Sequence, residues 1–187
     1  MSFLNALQRH NELFRQVDTL EAVANAMADD IEAAIRKGGK VVFFGNGGSA
    51  ADSQHLAAEF VVRYRMPRQP LPALALTVDT SILTAQANDY EFASVFSRQV
   101  LALCSARDVI IGISTSGNSA NVIEGIAAGR EIGATCWGWT GEKSGKIGEL
   151  TPKLLQVPAT ETARIQEVHL FVGHWICEEM DRRFATS

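Results

Sequence analysis

The sequence predicts a three-layer α/β fold, a parallel five-stranded sheet with helices on both faces and a long N-terminal helix ahead of it. Three observations lead there. Short continuous apolar runs alternate with stretches whose apolar residues recur at three-and-four spacing, the first pattern fitting strands buried on both faces and the second amphipathic helices. The connections between successive runs are long enough for the crossovers that parallel strands require. The chain has 187 residues, 47% hydrophobic and 20% charged, which is the size and balance of one domain with a full core.

The elements follow in order. Leu4, Leu7, Leu13, Val17, Leu20, Val23, Met27, Ile31 and Ile35 keep helical spacing, so residues 1–38 form an N-terminal helical region within a single domain of residues 1–187. Phe3, Leu4, Leu7 and Leu13 would sit awkwardly in water on a lone subunit, which points to an oligomer. Lys37-Gly38-Gly39-Lys40 stops the helix, and Val41–Phe44 is the first strand. A glycine turn follows, then helix from Ser49 to Arg65, then a Met-Pro-Arg-Gln-Pro stretch that excludes helix and leads into a second strand over Leu71–Val78. Ile82–Ala87 and Phe92–Cys104 are helical; Val109–Ile113 is the clearest central strand; Ser119–Ile132 is helix. Ala134–Trp139 and Lys153–Val157 supply two more strands, and Thr160–Phe184 closes the chain as a long helix. In such a sheet ligands lie at the C-terminal ends of the strands.

Composition removes whole classes of function. Seventeen basic against 21 acidic side chains give a net charge of −4, with no basic excess for a nucleic acid. No apolar stretch approaches the roughly 18 residues of a membrane span, and the opening residues alternate charge with apolar side chains where a signal peptide needs an unbroken apolar run. The expected location is cytoplasmic. Cys104, Cys136 and Cys177 are odd in number, widely spaced and set in apolar surroundings, so they read as reduced core thiols.

Two loops and two helices carry the chemistry. Ser114-Thr115-Ser116-Gly117-Asn118-Ser119 packs hydroxyls between a buried strand and a helix, where they and free N–H groups favour a phosphate. Without the lysine of a nucleotide P-loop, a sugar phosphate fits better; the plainer alternative is turn and helix capping. Gly45-Asn46-Gly47-Gly48-Ser49-Ala50 satisfies a dinucleotide fingerprint, yet Arg65-Met66-Pro67-Arg68 stands where the ribose-binding acid belongs, which discounts that cofactor. The glycines permit close approach to a ligand, or make a tight turn and nothing more. His55, Glu59 and Arg63 recur every four residues on one helix face: either a divalent-metal pair with an anion-binding arginine, or a solvated face with a Glu–Arg pair. His174 lies among apolar residues of the closing helix, where a histidine is most often a satisfied core residue.

Taken together, these segments resemble the phosphoheptose isomerases, members of the sugar isomerase (SIS) domain family. The resemblance rests on Gly45-Asn46-Gly47-Gly48-Ser49, His55-x-x-x-Glu59-x-x-x-Arg63, Ala87-Asn88-Asp89, the 113–119 segment, and Arg164-Ile165-Gln166-Glu167 followed by His174, and it spans nearly the whole chain. It implies a flavodoxin-like sheet, a homotetramer with active sites at subunit interfaces, and conversion of sedoheptulose 7-phosphate to D-glycero-D-manno-heptose 7-phosphate for lipopolysaccharide precursors. It further implies a phosphate seat of Ser114, Thr115, Ser116 and Ser119, sugar contacts from Asn46, Gly47, Gly48, Glu59, Arg63, Asn88, Asp89 and Gln166, a zinc ion on His55, Glu59, Gln166 and His174, and an acid–base pair of Glu59 and His174. Gln166 and His174 are eight residues apart, about 12 Å of helix rise, so sharing a metal needs stretched side chains, a bent helix or a neighbouring subunit. Some relatives carry Asp where this chain has Ala163. The alternative is a non-catalytic SIS tetramer that regulates replication initiation by binding another protein; such homologues keep both loops and lack the acid–base pair, which this chain has.

Overall fold

The computed structural model describes residues 2–185. Five parallel strands, β1 (Val41–Gly45), β2 (Ala73–Ala75), β3 (Val109–Ile113), β4 (Thr135–Thr140) and β5 (Leu154–Gln156), lie in the order β2-β1-β3-β4-β5. That is the flavodoxin-like order, in which the chain winds outward in both directions from the β1–β3 pair. β1 and β3 are in register to their last residues, Gly45 opposite Ile113, so the glycine and serine loops leave the sheet side by side.

The period-two alternation of each strand divides the core. Val41, Phe43, Val109, Ile111 and Ile113 face α1 (Phe3–Phe14), α2 (Glu21–Arg36), α3 (Gly48–Val61) and α8 (Thr162–Arg183). Val42, Phe44 and Ile110 face α5 (Val95–Leu103) and α6 (Ala120–Glu131). Two short helices, α4 (Thr80–Asp89) and α7 (Ile147–Leu150), complete the outer layer. α4 begins where Asp79 accepts from the Ile82 N–H at 2.9 Å, an N-cap that extends it beyond the apolar stretch that predicts it. α8 is fastened to α2 by Arg183, which reaches Asp29 at 2.7 Å and Glu32 at 2.9 Å.

Four sequence expectations are corrected. The N-terminal region is two helices, because a 3₁₀ turn at Val17–Leu20 re-aims the chain to bury Val17 and Leu20, with the Thr19 hydroxyl donating to the Gln16 carbonyl at 2.6 Å. Leu13 belongs to the subunit's own core, while Phe3, Leu4 and Leu7 remain exposed. β2 is only three residues long, since Pro70 and Pro72 offer no N–H and the chain turns after Leu76 toward the Asp79 cap. α3 stops at Val61 instead of Arg65. There Arg68, its side chain fully buried, donates to the Glu59 carbonyl at 2.8 Å and the Phe60 carbonyl at 2.8 Å, and its Nε donates to Asp181 at 2.7 Å. Side-chain capping of the last free carbonyls ends the helix.

Candidate active site

The serine loop is built around a knot of hydroxyls. The Ser114 Oγ lies 2.9 Å from the Ser119 Oγ and 3.4 Å from the Ser116 Oγ, and Ser119, at the N-cap of α6, makes no side-chain cap bond. The helix therefore opens with N–H groups that no hydroxyl takes, the positive end that attracts an anion. Gly117 turns the loop at φ +68°, and a Cβ there would come 2.1 Å from the Ser144 carbonyl, so only glycine lets the 144–147 turn back the loop. The Thr115 carbonyl accepts from the Gly141 N–H at 3.0 Å, and the Trp139 carbonyl from the Ser114 N–H at 2.9 Å, which fixes the loop to the end of β4.

The glycine loop faces it. Asn46 and Asn121 exchange two hydrogen bonds, Nδ2 to Oδ1 each way, at 2.8 Å. Gly47 and Gly48 are exposed at the head of α3. Gly48 touches Gln166: a Cβ there would lie 2.6 Å from the Gln166 Nε2.

Two turns along α3, the His55 Nε2 lies 2.8 Å from the His174 Nε2, with the Glu59 Oε1 3.8 Å from the same His55 nitrogen. At that distance one ring donates and the other accepts, so the two facing nitrogens cannot both carry protons. Burial lowers the pKa of His174, with His55 acting in the same direction and Glu59 opposing. Tyr64 stacks on the His174 ring at 5.4 Å. Asp52, one turn before His55, has its carboxyl pKa raised by burial, with His55 pulling the other way.

The residues predicted for the site thus fall into groups. Ser114, Thr115, Ser116, Ser119, Asn46, Gly47 and Gly48 line the two loops over the β1–β3 ends, and Gln166 joins them. His55, Glu59 and His174 form a second group along α3 and α8. Among the described residues no three His, Cys, Asp or Glu side chains stand closely enough to hold a metal as they are. Arg63 is exposed beyond the end of α3, so it is not on the helix face with Glu59; its one hydrogen bond here runs to the Arg65 carbonyl at 3.4 Å. Asn88 and Asp89 are exposed at the end of α4, bonded to one another at 2.9 Å.

Two residues were missed by sequence reasoning. Asn121 looks like any polar residue in a first helical turn. His169, fully buried, sets its Nε2 3.1 Å from the Thr140 carbonyl at the end of β4, beside the strand end that fixes the serine loop, and leaves its Nδ1 without a partner. Burial pushes its pKa down to about 4, against the pull of that carbonyl, so it is a neutral ring. Its one available signal was position, three residues after Gln166 on a helix packed against the C-terminal end of the sheet.

The chain has known relatives. The family model for the SIS domain matches residues 5–141. The chain is 54% identical over 152 residues to the phosphoheptose isomerase of Aquifex aeolicus (strain VF5), covering 81% of this chain and 80% of the relative. The chain belongs to the phosphoheptose isomerase family of SIS domains. Solved phosphoheptose isomerases carry the same architecture: that of Neisseria gonorrhoeae superposes with a TM-score of 0.89 at 42% identity, covering 96% of both chains. That of Francisella tularensis gives 0.88 at 29% identity, covering 97% of this chain and 100% of its own. Membership makes this chain an enzyme of the isomerase class, and among the described residues no helix is long and apolar enough to cross a membrane.

Proposed function

We propose that the chain interconverts sedoheptulose 7-phosphate and D-glycero-D-manno-heptose 7-phosphate, supplying heptose for lipopolysaccharide precursors, with Glu59 as base and His174 as acid. The carrying observation is the meeting of His55 and His174 beside Glu59, on helices whose heads border the hydroxyl knot. Aldose–ketose interconversion moves a proton between adjacent carbons through an enediol. The serine loop would hold the phosphate through Ser114, Thr115, Ser116 and Ser119. Asn46, Gln166 and the exposed N–H groups of Gly47 and Gly48 would orient the sugar. Glu59 would take the proton from the carbon beside the carbonyl and return it to the neighbouring carbon. His174, kept neutral by burial, would donate from its ring N–H to the carbonyl oxygen and recover that proton from the adjacent hydroxyl.

The donor chemistry of His55, Glu59 and His174 fits a zinc ion: two imidazole nitrogens already face each other, with a carboxylate beside them. Gln166, which lies against Gly48, would be the fourth ligand. Zinc there would polarise the substrate's oxygens. Metal analysis of the wild-type protein and of His55→Ala tests this independently of turnover, with loss of bound zinc expected in the variant and equal content refuting it.

A homotetramer is part of the same reading. It is supported by the exposure of Phe3, Leu4 and Leu7 and by an apolar cleft of about 370 Å³ between the N-terminal helices and α8, lined by Phe14, Val17, Leu20, Phe171 and Trp175. The exposed Arg63, Asn88 and Asp89 would then meet substrate at a subunit boundary. The deciding experiment is an assay on sedoheptulose 7-phosphate with Glu59→Gln beside the wild type. Turnover should vanish in the variant while phosphate binding and assembly persist; a variant that still isomerises would remove Glu59 from the chemistry.

A further inference from the structure

We infer that Asn121 is a positioning residue for the isomerisation, setting Asn46 and the gap between the two ligand loops through the reciprocal amide pair; the inference rests on reading those loops as the substrate's seat.

The two loops begin side by side and then part. Gly45 and Ile113 are the last paired residues of β1 and β3, after which one chain turns into α3 and the other into the serine loop and α6. The crevice that opens there is where ligands enter such a sheet. Across it, Asn121 and Asn46, 75 residues apart in sequence, are joined by two bonds of 2.8 Å each. A single bond would fix a distance. Two antiparallel bonds between planar amides also fix orientation, so Asn121 decides which edge of Asn46 carries the N–H and which the oxygen.

Asn121 is 3% exposed, so its amide has nowhere else to find partners, and opening the pair would strand a buried polar group. Asn46 is only half-buried. Each amide has two N–H groups and two lone pairs, and the pairing uses one of each. Asn46 therefore keeps one donor and one acceptor for a sugar hydroxyl while remaining clasped. A residue that reached the sugar itself would need exposure that Asn121 lacks, which is why its action runs through Asn46.

The test uses chemistry that a merely structural role would not follow. In Asn121→Asp burial and the facing Asn46 oxygen raise the carboxyl's pKa above the ordinary aspartate value, so it titrates within the assay range: ionised, it still accepts from Asn46 but sets oxygen against oxygen, losing one of the two bonds; protonated, it donates and restores both. At pH 8 the KM for sedoheptulose 7-phosphate should rise about tenfold with little change in kcat, and the ratio of variant to wild-type KM should fall back toward one as pH drops to 5.5. Asn121→Ala should show the same rise at both pH values. The double variant Asn46→Ala, Asn121→Ala should match Asn46→Ala alone, because the clasp has no other route to the substrate. A KM ratio independent of pH in Asn121→Asp, or additive losses in the double variant, would overturn the inference. If the wild type does not turn this substrate over, the functional reading fails on its own. The clasp is then read from calorimetric titration with sedoheptulose 7-phosphate itself at pH 8, where Asn121→Ala should bind about tenfold more weakly than the wild type, and equal affinity in the two proteins would refute it.

Discussion

Acidification from pH 7 to 4.5 should cost this protein about 2 kcal/mol of folding stability through one side chain, His169. The ring is wholly buried in α8, and its pKa stands at about 4 against an ordinary 6.5. Because the folded value lies below the unfolded one, the unfolded chain takes up a proton first as pH falls. The stabilisation is complete above pH 6.5 and drains away as pH approaches 4. Integrating that difference in proton uptake between pH 7 and 4.5 gives about 2 kcal/mol. Glu179 and Asp181 have carboxyl pKa values lowered by their arginine and backbone partners, despite burial acting oppositely, so their contributions persist down to about pH 4.5 and fade below it. His174, also lowered, acts in the same window but is common to both proteins compared. Urea unfolding at fixed protein concentration, in steps from pH 7 to 4.5, should give a stability curve that falls more steeply for the wild type than for His169→Gln, by about 2 kcal/mol over the range. The glutamine can still donate to the Thr140 carbonyl and does not titrate. Parallel curves would show that the buried ring does not govern acid sensitivity.

Other perturbations read separate parts of the structure. Arg68→Ala would leave Asp181, 1% exposed, with only the backbone donors of Arg65 and Met66; breaking such a buried pair costs about 3–5 kcal/mol, so the melting temperature should fall by about 10 °C, and an unchanged melting curve would refute the cap on α3. Gly48→Ala should displace the Gln166 amide, whose Nε2 would lie 2.6 Å from the new methyl group, raising KM with stability changed by less than about 1 kcal/mol; an unaltered KM would detach Gln166 from substrate binding. Gly117→Ala meets a backbone carbonyl at 2.1 Å and a φ of +68°, so phosphate affinity and stability should fall together, and calorimetry with phosphate beside thermal melting would expose any separation of the two.

How much could be read beforehand depends on whether the signal is periodic or positional. Val41–Phe44 and Val109–Ile113 announce themselves because a strand buried on both faces must be apolar at every residue. Periodicity has no such grip on helix ends: the spacing of His55, Glu59 and Arg63 continues past Val61, and only a buried arginine from the following loop, paired with an aspartate near the chain's end, stops the helix first. Asn121 was hidden for the same reason, since an amide's partner 75 residues away leaves no local trace. The eight-residue gap between Gln166 and His174 resolves in the packing of α3 against α8. The two helices run side by side in the same direction, Gly48 meeting Gln166, His55 meeting His174, and Arg65, just past α3, bonding Asp181. Each turn of one therefore faces the corresponding turn of the other, so a gap on α8 is matched by a similar gap on α3. Gln166 stands level with the glycine loop and His174 two turns further along, so one unbent helix pair carries both groups.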